Sequence, residues 1–227
     1  MASSTPHPEV DPSEMTLDEL RLHLAPLLAD AAAFDGWTDT ALAMAAQQAG
    51  VDADVARLAY KGDAMDMIGA WIETIDAAMA DALPPATLAQ MKIRERIRSL
   101  IQFRLDAVAG REEALRRAMA IMAMPKNVAS ALRTGWHSAD VMWRLAGDTA
   151  TDYNHYTKRA TLGSIYGATL AVFLDDESEG KAETRAFLDR RIDGVMRFEK
   201  TKAKWLNSDR DRFSVTRFLG RLRYPAR

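Results

Sequence analysis

The chain has 227 residues, 48% of them hydrophobic and none of them cysteine, so a real core is available and disulfide or thiolate chemistry is excluded. Its formal charge of −2 conceals two opposed halves: residues 1–85 carry three basic and fifteen acidic groups, a net of −12, and residues 86–227 carry 27 and 17, a net of +10. An N-terminal half so acidic lacks the Lys and Arg that neutralise phosphates, which argues against nucleic acid as a partner. The first twenty residues hold no Lys, Arg or apolar run, so neither a secretory signal nor a transit peptide is read there. The longest uncharged stretch, Ala160 to Leu174, falls short of the roughly 18–20 residues that span a bilayer. A cytosolic bacterial protein with at most peripheral membrane contact is expected.

Residues 1–13, with three prolines, read as a disordered tail. Thereafter the periodicity is helical and never strand-like, and the fold class predicted is all-α. Leu17, Leu20, Leu24, Leu27 and Leu28 share one helix face. Gly36-Trp37 ends that helix, and Thr38 caps the next. Leu42, Ala45 and Ala46 precede Gly50-Val51-Asp52, a tight turn whose Asp52 caps a short helix to Tyr60. Helix, glycine turn and capped short helix make a helix-turn-helix, so residues 14–85 form a head resembling that of a TetR-type regulator. Trp71, Ile72, Ile75 and Met79 continue a fourth helix until Pro84-Pro85 breaks it. The outward positions of the candidate recognition helix are read as Ala53, Asp54, Ala56 and Arg57, whereas base readout wants Arg, Lys, Asn or Gln there. A retained fold that has lost DNA binding is the main reading, with a ligand-responsive TetR-type transcriptional regulator as the alternative.

In residues 86–205, Ile93, Ile97, Leu100, Ile101, Leu105 and Val108 form an apolar stripe with Arg94, Arg96 and Arg98 outside it. Leu115, Met119, Met122 and Met124 follow until Pro125. Two long helices, about 128–147 and 151–175, are separated by Gly147-Asp148, and a last core helix covers about 183–205. Methionine is flexible and suits either an ordinary core or a pocket for a long apolar ligand. Met119, Met122, Met142 and Met196, with Trp136, Trp143, Ile165, Tyr166 and Phe173, are the candidate lining of a lipid tunnel. Gly163 and Gly167, four residues apart, fit either internal helix packing or a dimer seam.

The four histidines are His7, His23, His137 and His155. Asp152 with His155, and His137 with Asp140, have the spacing of half a di-iron carboxylate site, but the glutamates and the second acid/His pair such a site needs are missing, so no metal site is expected. There is no glycine-rich phosphate loop, no GxSxG elbow and no cysteine nucleophile. Neither an enzyme nor a cofactor is expected.

Beyond Trp205 lies a basic segment, 206–227. Val215, Phe218, Leu219 and Leu222 share one helical face, with Arg217 and Arg221 pointing elsewhere. From Arg197 onward ten basic groups face three acidic ones, a net of +7. An amphipathic basic helix of this kind binds anionic membrane surfaces, or packs back as a lid over the tunnel mouth.

The run from Trp143 to Lys158 resembles the signature of the coenzyme Q accessory protein family, the lipid-binding auxiliary proteins of ubiquinone biosynthesis. The similarity continues through Arg159-Ala160, Ile165-Tyr166 and Phe187 to Ile192, with earlier matches at Gly36-Trp37-Thr38, Met122 to Asn127 and Ala146-Gly147-Asp148. It covers about residues 30–200. The resemblance implies a TetR-like all-α fold without repressor function, an isoprenoid or quinone lipid held in an apolar tunnel, a homodimer, and a C-terminal helix that meets the membrane. It also implies a surface patch offered to the di-iron hydroxylase that acts on demethoxyubiquinone. That patch maps to Asp152, Tyr153, Asn154, His155 and Tyr156. His155 departs from the pattern, standing where many members have Trp, a residue type frequent among interface hot spots.

Overall fold

The computed structural model describes residues 11–149 and 153–211, with side-chain surroundings for 11–149 and 155–197. The expectations placed on Asp152, on the side chains of Tyr153 and Asn154, and on Val215, Arg217, Phe218, Leu219, Arg221 and Leu222 lie outside these described residues. Among the described residues there are ten α-helices and no strand.

The disordered tail expected through residue 13 is corrected at its end: the Asp11 carboxylate accepts from the Ser13 N–H at 2.9 Å and caps a 3-10 turn over Pro12–Glu14. Helix α1 (Leu17–Asp35) opens on a reciprocal cap. The Glu19 N–H donates to Thr16 Oγ1 at 3.3 Å, and the Thr16 N–H donates to Glu19 Oε2 at 2.9 Å; a cap of this kind is worth about 0.5–2 kcal/mol. Gly36, at φ +72°, ends the helix in a conformation that favours glycine. Thr38 then caps α2 (Asp39–Ala49), left-handed Gly50 closes it, and Asp52 caps α3 (Ala53–Ala59). The expected outward face of α3 needs correction. Ala56 is fully buried, and Val55 and Leu58 are exposed in its stead.

Helix α4 (Ala64–Ala82) ends before Pro84, and a single turn, α5 (Pro85–Leu88), leads to α6 (Ile93–Val108). Helices α7 (Glu112–Met122), α8 (Val128–Leu145), α9 (Tyr153–Asp175) and α10 (Ala182–Asp211) follow. The last of these runs without a break through residue 205, where the sequence reading drew a boundary. Its entrance is fixed by Asp176, whose carboxylate accepts from the Thr184 N–H at 2.8 Å and the Thr184 hydroxyl at 2.6 Å, and also from Ser178. Burial acts to raise the Asp176 pKa, but these hydrogen bonds outweigh it and hold the group well below the usual carboxylate range.

The head shares one hydrophobic core with the rest of the chain. Helix α1 packs on α2, α3, α4 and α7, and α4 packs on α6, α7 and α8. Trp37 supplies a joint between the halves: its indole N–H donates to the Ala114 carbonyl of α7 at 3.0 Å, and its ring lies 5.4 Å from that of Trp71 on α4. Arg111 adds a bidentate contact to Asp30 of α1, at 2.5 and 3.0 Å. On the far side, α8 packs on α9, α9 on α10 and α10 on α6.

Candidate functional site

Two apolar cavities open between these helices. The first, about 320 Å³, lies among α4, α6, α7, α8 and α9. Its floor is buried and holds Trp71, Ile75, Val108, Leu115 and Ala118, and its more accessible rim includes Met119, Met122, Tyr166 and Leu170. Three glycines, Gly135 of α8 and Gly163 and Gly167 of α9, complete that wall. A Cβ built on any of them would meet nothing within 4 Å. Gly163 and Gly167 therefore do not serve close packing of helices within this chain, one of the two readings of their spacing; they line the cavity, where a side chain would intrude.

The second cavity, about 510 Å³, lies among α6, α8, α9 and α10, over buried Ile97, Leu162 and Ile192. Its rim is charged, and its cations are engaged. Arg94 meets Asp193 at 2.8 Å and Lys158 meets Asp148 at 2.6 Å. Arg96 donates to the carbonyls of Met91, Ala146 and Ala89 at 2.9, 2.7 and 3.1 Å.

The nine residues read as one tunnel lining are divided by the structure. Met119, Met122 and Tyr166 line the first cavity, and Trp143, Ile165 and Met196 line the second. Met142 and Phe173 are buried in the core and line neither. Trp136 lines neither cavity, because it stands on the surface, 37% exposed.

There Trp136 joins His155 and Tyr156 of the predicted partner patch, with ring centroids 6.4 Å and 6.0 Å away, and His155 and Tyr156 meet edge to face at 5.2 Å. Tyr156 is 62% exposed. Met124, Val128 and Leu132, at four-residue intervals before Trp136, are exposed as well. The sequence reading missed this stripe, although Val128, Leu132 and Trp136 have the spacing of a second apolar face of α8. Contiguous exposed apolar surface of this kind marks interaction sites in soluble proteins. His137 is exposed whereas Asp140, three residues on, is buried against Arg159, so the two do not converge on a common point.

On α3, the single outward cation, Arg57, is held by Asp54 at 2.5 Å. The helix that would enter a DNA groove thus offers a neutralised arginine flanked by Val55 and Leu58.

A buried polar cluster on the floor of the first cavity also escaped the sequence reading. Arg104 of α6, 2% exposed, pairs with Asp76 of α4 and donates to Ser138 Oγ of α8 at 3.2 Å, and Ser138 donates to Asp76 at 3.2 Å. The Tyr166 ring lies across the guanidinium, 4.9 Å away. Burial opposes the Arg104 charge, but Tyr166 and Asp76 more than offset it, and the pKa is raised. The signal was present in the spacing: Arg104 falls four after Leu100 and three after Ile101, on the buried face of the stripe.

The fold is of the TetR class. A TetR transcriptional regulator from Nitrosomonas europaea aligns with TM-score 0.62 over 77% of this chain and 97% of its own, at 24% identity, a likeness of fold alone. The sequence resemblance has a narrower address: residues 128–199 match the COQ9 family model. The mitochondrial ubiquinone biosynthesis proteins COQ9 of Rattus norvegicus and Homo sapiens are each 33% identical over 174 residues, 73% of this chain. The COQ9 protein of Drosophila melanogaster is 25% identical over 201 residues, covering 87% of this chain and 61% of its own. The chain is a COQ9-family relative with a TetR-like fold, and it spans about half the length of the rat and human proteins, 55% and 54%.

Proposed function

We propose that this chain is a non-enzymatic accessory protein of ubiquinone biosynthesis, which binds an isoprenoid or quinone lipid in its apolar cavities and offers it to a di-iron hydroxylase. The observation that carries the lipid-binding half is the first cavity: a floor and rim dominated by Trp, Ile, Leu, Val and Met, walled by glycines that leave it open. Its volume falls within the range of about 300–1,000 Å³ usual for small-molecule sites. The names of the rat and human relatives support the pathway. The partner surface of this reading is the surface cluster of Trp136, His155 and Tyr156, together with Asp152, Tyr153 and Asn154 of the sequence-predicted patch. The protein acts as a homodimer, peripheral to the inner face of the bacterial inner membrane, where the basic segment 206–227 docks.

The test is lipid extraction and mass spectrometry of the purified protein, followed by native mass spectrometry with the hydroxylase. Co-purifying isoprenoid or quinone lipid is expected, as is a complex that Trp136→Ala with Tyr156→Ala dissolves without unfolding the protein. Recovery of a lipid-free protein that takes up none on incubation would overturn the reading. A gel shift with genomic fragments addresses regulation: the neutralised Arg57 and the −12 charge of residues 1–85 predict no sub-micromolar binding near physiological salt.

A further inference from the structure

We propose that the first cavity selects a lipid with a neutral, oxygen-bearing head and takes it head first, with the Arg104 Nε–H as the donor that recognises the oxygen. This rests on the lipid-binding reading above and specifies its ligand class.

The floor of that cavity is apolar apart from the cluster around Arg104. One terminal nitrogen of the guanidinium meets Asp76 and the other meets Ser138 at 3.2 Å, and Ser138 closes the ring onto the second oxygen of Asp76. Nε alone is buried without a hydrogen-bond partner. An unpaired donor on a buried cation is costly, and native proteins rarely leave one without a water or ligand to satisfy it. Arg104 and the Tyr166 ring that lies 4.9 Å from its guanidinium are both part of the cavity wall, so on this proposal a ligand oxygen displaces that ring to reach the N–H.

The charge balance decides the chemistry of the atom. Arg104 is already matched by Asp76, and a carboxylate or phosphate entering the floor would set two anions against one cation in an apolar site, at a heavy desolvation penalty. A hydrocarbon leaves Nε as it is. A carbonyl, methoxy or hydroxyl oxygen satisfies the donor with no added charge. The accessible rim of Met119, Met122, Gly163 and Gly167 then receives the apolar chain.

The experiment is displacement of the neutral dye N-phenylnaphthylamine from the full-length protein by three competitors: decylubiquinone, decylbenzene, which keeps a ring and chain without oxygens, and decanoate. Wild type is expected to bind decylubiquinone about tenfold more tightly than decylbenzene, the worth of one hydrogen bond from a charged donor, and to bind decanoate most weakly. Arg104→Lys keeps a cation opposite Asp76 but removes Nε; it should erase the tenfold preference for decylubiquinone over decylbenzene. Should Arg104→Lys fail to fold, the double variant Asp76→Leu, Arg104→Met removes both charges together and is expected to give the same loss of preference. A preference that survives in the folded variant, or decanoate as the tightest ligand, overturns the inference while leaving lipid binding intact. Failure of the dye and all three competitors to bind wild type overturns the lipid-binding reading itself, and this inference with it.

Discussion

Arg159 of α9 holds two carboxylates at once, with Nε 2.5 Å from Asp140 of α8 and a terminal nitrogen 3.1 Å from Asp148 in the connection between the helices. The guanidinium is 2% exposed, and it ties Asp148 to α9 within the segment that carries the family resemblance. Arg159→Met removes the buried cation between them but leaves Asp140 to Arg144 at 2.5 Å and Asp148 to Lys158 at 2.6 Å. The loss should therefore be about 1–3 kcal/mol, short of the roughly 3–5 kcal/mol of a buried pair left with no partner. Urea unfolding should show a lowered midpoint with an unchanged slope. A loss below about 1 kcal/mol, the range of exposed pairs, would show that water reaches the site.

Gly167→Leu separates stability from binding. The added side chain starts from an open position on α9, and replacing a helical glycine by leucine gains up to about 1 kcal/mol of helix propensity. The same side chain occupies the first cavity. Thermal stability should hold or rise while dye and lipid binding fall. Unchanged binding would place the ligand in the second cavity, between α6 and α10.

Asp176 sets a pH limit on the start of α10. Its folded pKa is depressed from 3.8, so its contribution is complete above the unfolded value and is lost as the pH falls through the folded one. Wild type and Asp176→Ala should therefore differ in stability by the same amount from neutral pH down to about 4, and the gap should narrow below that. A gap already narrowing near pH 6 would contradict the hydrogen-bonded geometry at Ser178 and Thr184.

Truncation after Asp211 leaves α10 whole and removes five arginines with Val215, Phe218, Leu219 and Leu222. Each arginine near an anionic membrane contributes about 1 kcal/mol, so flotation with anionic liposomes should be lost while helical circular dichroism is retained. Salt should weaken binding of the intact chain, because screening acts over about 8–10 Å. A truncated protein that floats as well as the intact one would assign membrane contact elsewhere.

Local chemistry was readable in the sequence. Thr38 and Asp52 cap the helices they were expected to cap, and Gly36, Gly50 and Pro84 lie at helix ends, because each acts on backbone groups within a turn of itself. Long-range pairing was not readable in the same way. Arg104 and Asp76 are 28 residues apart, and Trp37 meets the Ala114 carbonyl across 77, distances at which spacing alone names no partner. The division of the proposed tunnel residues has the same origin. Periodicity tells which face of α8 or α9 is apolar, but Met142 packs in the core and Trp136 stands outside it according to how neighbouring helices cross. Ala56 was misplaced because α3 has only seven residues, too few for a face to be fixed by period.

The charge split between the halves makes the molecule an electric dipole. Residues 1–85 carry −12, and their helices cluster on α1, whereas from Arg197, within α10, the sequence carries +7. Near a negatively charged surface the two ends are pulled in opposite directions, and the resulting torque orients the molecule before any side chain makes contact. On such a surface the acidic head would be repelled and the basic end attracted. Docking there then starts with most wrong orientations already removed.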